Sequence, residues 1–134
     1  MSKLESINPE SLGAPRGYSN GILAPAGGRL LFVAGQIAWN AEQQVVSSDF
    51  ALQFAQALSN VLAVVKGAGG KPEHVAKLTI FVTDKDRYLG DLKGVGASYR
   101  ELMGNHYPAM ALLEVKALLE PKALIEIEAM AVLP

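Results

Sequence analysis

Two apolar runs near the end of the chain, residues 107–118 and 124–132, alternate along their whole length, with a short polar connection containing Pro121 between them. In the first, Ala109, Ala111, Leu113, Val115 and Ala117 make a small or apolar face, and Met110, Leu112, Glu114 and Lys116 lie opposite. In the second, Ile125, Ile127, Ala129 and Ala131 are apolar, while Leu124, Glu126, Glu128 and Met130 are mixed. A period of two with one dry face describes strands of a sheet covered on one side. The mixed face, with carboxylates among apolar side chains, is where a function is expected.

Residues 29–37 and 76–83 show the same division. Leu31, Val33, Gly35 and Ile37 oppose Leu30, Phe32, Ala34 and Gln36; Leu78, Ile80 and Val82 oppose Lys77, Thr79, Phe81 and Thr83. A weaker strand over 18–23, followed by Pro25 and the Gly27-Gly28 turn, predicts a hairpin with residues 29–37. Residues 1–16 read as an irregular lead-in, and residues 39–46 as a polar connection with a short strand at Val45 and Val46. Ser48 or Asp49 can cap a helix whose apolar positions include Phe50, Phe54, Ala57, Leu58, Val61, Leu62 and Val65, with Gln53, Gln56 and Asn60 on its wet side. Glycines at 67–70 end it. Residues 72–75 form at most one turn of helix, residues 84–87 a loop, and residues 88–103 a second helix interrupted by Gly90, Gly94 and Gly96.

The order is therefore β-β-(β)-α-β-α-β-β, an α+β domain spanning 1–134 with two helices drying one face of a mixed sheet. The other face, with Phe32, Phe81, Met110 and Met130, is too apolar to stay in water and is expected to pack against further copies of the chain. Half of the 134 residues are apolar and 19% charged, which fits a single core plus an interface.

Several classes of function are disfavoured. A net charge of −1 with no basic stretch gives no footprint for nucleic acid or an anionic membrane surface. The absence of cysteine excludes disulfides, thiolate nucleophiles and Cys-bound metals. No His/Asp/Glu cluster has metal-ligand spacing, and no metal or cofactor is expected. No apolar run approaches the roughly 20 residues of a membrane span, and residues 1–16 lack a signal-peptide core, so a cytoplasmic location is expected. Gly67-Ala-Gly-Gly-Lys71 lacks the Ser/Thr of a phosphate loop and follows a helix, so it reads as a helix stop. His74 falls on a surface turn; His106, beside Tyr107 and Pro108 at a strand entrance, is a candidate binding residue. Glu126 and Glu128 share the mixed face. They are either edge or interface carboxylates, or, among Leu, Met and Ala, groups able to pass protons to a bound molecule.

Taken together, Tyr18-Ser-Asn, Leu31-Phe-Val-Ala-Gly-Gln36, the helix from Gln53 to Leu62, Ala68-Gly, His74 through Asp84, Tyr107-Pro-Ala and Ile125-Glu-Ile-Glu-Ala-Met-Ala131 resemble the RidA/YjgF family of reactive imine/enamine deaminases, also labelled endoribonuclease L-PSP. The resemblance runs from about Gly17 onward. It implies a chorismate-mutase-like fold and a homotrimer whose sheets form a central barrel, with small-molecule clefts between subunits. It makes Glu126 the catalytic residue, orienting or activating the water that attacks the imine carbon, and places Tyr18, Ala34, Gly35, Met110 and Leu112 in the cleft. Four of the family's polar positions are changed. Met110 stands where deaminating members have the arginine that holds the substrate carboxylate. Ala34 replaces a serine, Leu112 a cysteine or threonine, and Gly96 an asparagine on the second helix. The resemblance thus leaves two readings, an imine/enamine deaminase of altered specificity and a non-catalytic trimer that binds a small ligand or a protein. Lys116 and His106 are the groups considered to compensate for the missing arginine. Ribonuclease activity is disfavoured by the lack of a basic groove.

Overall fold

A computed structural model describes residues 3–134. Its central element is a four-stranded sheet in the order β3-β6-β4-β5, formed by β3 (Arg29–Gln36), β4 (Val75–Val82), β5 (Ala109–Glu114) and β6 (Ile125–Leu133). β6 is antiparallel to both β3 and β4, while β4 and β5 run parallel. A parallel pair needs a crossover. It is supplied by α2 (Lys85–Leu89) and α3 (Leu92–Met103). The longest helix, α1 (Phe50–Gly67), lies across β3 and β6 and packs against α3.

α1 forms where the sequence places it. Asp49, not Ser48, is the cap: its carboxylate accepts from Leu52 N at 3.0 Å. Phe50, Phe54, Ala57, Leu58, Val61 and Val65 are buried against Leu78, Ile80, Val82, Ile125, Ile127 and Ala131 of the sheet. Gly69, at φ +86°, turns the chain after α1, and its neighbour Gly70 donates to Val65 O.

Several expectations are corrected. The lead-in is not irregular: Glu5–Ile7 forms β1 and Glu10–Leu12 a 3-10 turn. β1 pairs with β2 (Gly21–Leu23), so the anticipated hairpin between residues 18–23 and β3 does not form. β3 instead pairs with β6, where Leu31 and Val33 meet Ala131 and Ala129 beneath α1. Burial of that inner face outweighs the local turn. Residues 85–89 are helical rather than loop, capped by Asp84, and Gly90 separates them from α3, whose own cap is Asp91. The short strand near Val45 is a single bridge to Trp39, whereas residues 72–74 form the single helical turn expected there, a 3-10 turn.

Gln53 is the largest correction. It lies at the α1 positions that face the core and is fully buried. Its amide nitrogen donates to Ser47 O at 2.8 Å and Lys122 O at 3.0 Å, and its oxygen accepts from Leu124 N at 2.9 Å. Asn60 is half-buried and donates to Ile37 O and Trp39 O, so this side of the helix fastens loops instead of facing water. Replacing Gln53 by Leu keeps the volume but leaves three backbone groups without this partner. Because a buried unpaired polar group costs about 1–3 kcal/mol, Gln53→Leu is expected to lose about 2–5 kcal/mol. The check is a lowered urea midpoint at unchanged slope.

Candidate functional site

Sheet register determines which candidate residues share a space. Leu78, Ile80 and Val82 of β4 point into the helix-covered core. Their partners on β6 are Ala129, Ile127 and Ile125, which leaves Glu126, Glu128 and Met130 on the uncovered face with Phe81, Thr79 and Lys77. Their partners on β5 are Met110, Leu112 and Glu114. The expected faces of β5 are therefore reversed. Met110 and Leu112 lie on the helix side, and Ala109, Ala111 and Leu113 lie on the uncovered side. Alternation reveals that a strand has two faces; pairing with β4 decides which one turns inward.

Glu126 is half-buried on the uncovered face beside Gly35. Between Val33 and Gln36 the β3 register shifts, so two residues, Ala34 and Gly35, pass opposite Glu128. Such a bulge bends the strand and breaks the ladder locally. A Cβ placed on Gly35 would collide with the Glu126 carboxylate. Only glycine leaves the acid its present position. Ala34 is exposed on the bulge, and its carbonyl accepts from Gln36 Nε2 at 3.3 Å.

The helix side holds a slot of about 160 Å³ between α3 and β5. Ile80, Met110, Val95, Tyr99, Tyr107 and Arg100 contribute to its lining. Gly96 of α3 also borders it. Tyr99 and Tyr107 are stacked, with ring centroids 5.1 Å apart. Tyr99 O–H donates to His106 O at 2.7 Å, and burial, followed by the nearby Tyr107, raises its pKa. His106 is tied down from its own ring as well: Nε2 lies 2.6 Å from Val75 O, and facing a carbonyl it donates. His106 thus braces the turn before β5. Tyr18 is partly exposed beside the start of β5, where Ser19 N donates to Pro108 O at 3.0 Å and Ser19 Oγ contacts the Tyr107 carbonyl. Gly17, one residue earlier, borders the slot. Leu112 is partly exposed beside Ile80 and does not line the slot. Lys116 lies beyond the end of β5, exposed.

Sequence reasoning missed Arg100, Tyr99 and Gly17. The available signal was a glycine at 96 followed one helical turn later by an arginine. Among the described residues no three His, Asp or Glu side chains are grouped to hold a metal ion, and no helix is long and apolar enough to cross a membrane.

The family model described as endoribonuclease L-PSP matches residues 9–133. The chain belongs to this family, the RidA/YjgF group. The 2-iminobutanoate/2-iminopropanoate deaminase of Escherichia coli K12 is 39% identical over 108 residues, covering 78% of this chain and 80% of that enzyme. A RutC family protein of Pyrococcus horikoshii is 36% identical over 113 residues, covering 83% of this chain and 84% of that protein. The Rid-family protein YyfB of Yersinia pestis superimposes with a TM-score of 0.86 at 34% identity, over 98% of this chain and all of the other. Escherichia coli TdcF, solved with bound serine, gives 0.67 at 28% identity over the full length of both chains. The α+β fold with its mixed sheet is thus the Rid fold.

Within this Rid protein the Tyr99 environment predicts an alkaline response. The folded pKa is raised above the unfolded value of 10.0, so the Tyr99 contribution is complete below about pH 10 and is lost progressively as pH climbs above 10 toward the raised folded value. Tyr99→Phe is expected to flatten that part of the pH–stability curve. At neutral pH it should cost about 1 kcal/mol for the lost hydrogen bond to His106. Urea unfolding of both proteins at neutral pH and at pH values above 10 measures the difference.

Proposed function

We propose that the protein hydrolyses a small reactive imine or enamine, releasing ammonia, in clefts between the subunits of a homotrimer, with Glu126 moving the proton. The observation that carries the reading is the fit of the Glu126 carboxylate against side-chain-free Gly35 at the β3 bulge. A relative 39% identical bears the name of an imine deaminase, which supports the same chemistry. In the reaction, water adds to the carbon of the C=N bond while Glu126 accepts its proton. Glu126 passes that proton to nitrogen, giving a carbinolamine, and then carries the hydroxyl proton to the same nitrogen as the C–N bond breaks, so that ammonia leaves and the carbonyl forms.

The sheet has two outer strands, β3 and β5, and the first residue of β5 is bridged by Ser19. Leu30 and Phe32 on the uncovered face are 60% and 69% exposed. Joining the β3 edge of one copy to the β5 edge of the next would pair both edges and cover these side chains. It would also bring the β3 bulge and Glu126 of one copy up to the β5 edge of another, the strand that carries Met110 and Leu112. Met110 and Glu126 stand on opposite faces within a single chain, so a cleft using both draws on two copies. Sedimentation at micromolar concentration should give a trimer mass, and Phe32→Glu should shift it toward monomer.

Met110 gives the substrate no charged fork on β5. Losing a bidentate contact to a buried carboxylate costs on the order of 2–5 kcal/mol, or about one and a half to four decades in transition-state binding where nothing replaces it. Turnover of 2-iminobutanoate is therefore expected to be slow, with a preference for more apolar imines. Ammonia release should be followed from a panel of amino-acid-derived imines. Glu126→Gln is expected to lower kcat by about 100-fold or more, in the range of general acid–base contributions. Equal rates in the two proteins would remove Glu126 from the mechanism. Met110→Arg is expected to raise 2-iminobutanoate hydrolysis.

The second reading is a trimer that binds a small ligand or a protein partner in the same cleft without catalysis. It is favoured by the apolar character of Ala34, Met110 and Leu112 together. Absence of ammonia release from every imine in the panel, with Met110→Arg equally inactive, selects it.

A further inference from the structure

The slot between α3 and β5 has one charged residue on its lining, Arg100. A Cβ built on Gly96 would lie 3.2 Å from Arg100 Nη1. The guanidinium is therefore folded back along the helix over the glycine, toward the preceding turn, as long helical side chains tend to be. It has no acid among its helical neighbours: positions 96, 97, 103 and 104 are Gly, Ala, Met and Gly. The ion pair found among the described residues is Arg87 with Asp84, and Arg100 takes part in none. An unpaired fork thus stands at an apolar slot whose other sides include Met110 and the stacked Tyr99–Tyr107 pair. The Tyr99 hydroxyl is already donating to His106 O, so the cation is the feature that distinguishes an anionic from a neutral ligand here.

We propose that Arg100 is the anion-reading residue of this protein, and that the slot takes a small monocarboxylate with a compact apolar body. The guanidinium presents paired donors that match a carboxylate. A cavity of about 160 Å³ is close to the roughly 150 Å³ that holds a benzene ring. The ligand body is a ring or a short branched chain against Met110 and Tyr107, with its carboxylate on Arg100. The binding claim stands on the slot itself. Calling the ligand the substrate rests on the deaminase reading, and then specifies 2-imino acids with bulky apolar side chains. The charge lost from β5 at position 110 is supplied from α3 at position 100.

Calorimetric titration of the intact protein with benzoate, 3-methylbutanoate and the uncharged analogue benzamide tests this. Benzoate is expected to bind at least tenfold more tightly than benzamide. Arg100→Gln should weaken benzoate at least tenfold and leave benzamide unchanged, and Arg100→Lys should restore part of the benzoate affinity. In the ammonia assay Arg100→Gln should raise KM for bulky 2-imino acids with kcat little altered, whereas Glu126→Gln acts on kcat. Failure of benzoate to bind the wild-type protein, or equal benzoate affinity in Arg100→Gln, overturns the assignment. Arg100-dependent benzoate binding without ammonia release from any imine retains the anion site and removes the deaminase reading. Ammonia release with affinity independent of Arg100 does the reverse.

Discussion

The parallel pairing of β4 with β5 decides which side chains can meet. Leu78, Ile80 and Val82 are held in the core by α1, and every residue opposite them on β5 shares their side of the sheet. Met110 is thereby drawn beneath α3, and Ala109, Ala111 and Leu113 are turned to the uncovered face. The antiparallel β4–β6 ladder applies the same constraint to Glu126, with the opposite result: the carboxylate is kept away from the core. A single chain therefore presents two chemically distinct surfaces. One is an uncovered face with an acid at a bulge, and the other is an apolar slot with a cation at its margin.

Much of this was readable from the residues. The strand at β6 and the helix at α1 follow from periods of two and 3.6 sustained over nine and eighteen residues. β4 was legible for the same reason, with its β-branched inner face. The three-residue strands β1 and β2 are too short to show a period, and they pair with each other across a long stretch of chain. The orientation of β5 was illegible for a different reason. Its smaller face looked drier by composition, yet inward direction depends on a partner strand that the sequence does not name. Gln53 has the chemistry of a surface residue and the phase of a core one. Positions 50, 53, 54, 57, 58 and 61 lie on one helical stripe, and all are buried.

For the candidate site, the motifs led to Glu126, Gly35 and Met110. They did not lead to Arg100, because the resemblance implies a cation on a strand and Arg100 is on a helix. Helix and strand positions far apart in sequence can serve one volume of space when a crossover folds one over the other, as α3 lies over β5. A glycine that removes a side chain and an arginine one turn later make a unit that strand motifs do not contain. Met110 and Gly96 both border the slot, and the Arg100 guanidinium lies against Gly96.

The buried amide of Gln53 has a consequence for the acid on β6. It grips the carbonyl of Lys122 and the N–H of Leu124, the residues that lead directly into that strand. A strand with apolar and acidic residues in strict alternation would gain almost the same ladder if it slid by one position, but every side chain would then change sides. Glu126 and Glu128 would enter the core, and Ile125 and Ile127 would face outward. By fixing the point where β6 begins, one glutamine on a helix sets the phase of the strand and with it the side of the sheet on which the Glu126 carboxylate is found.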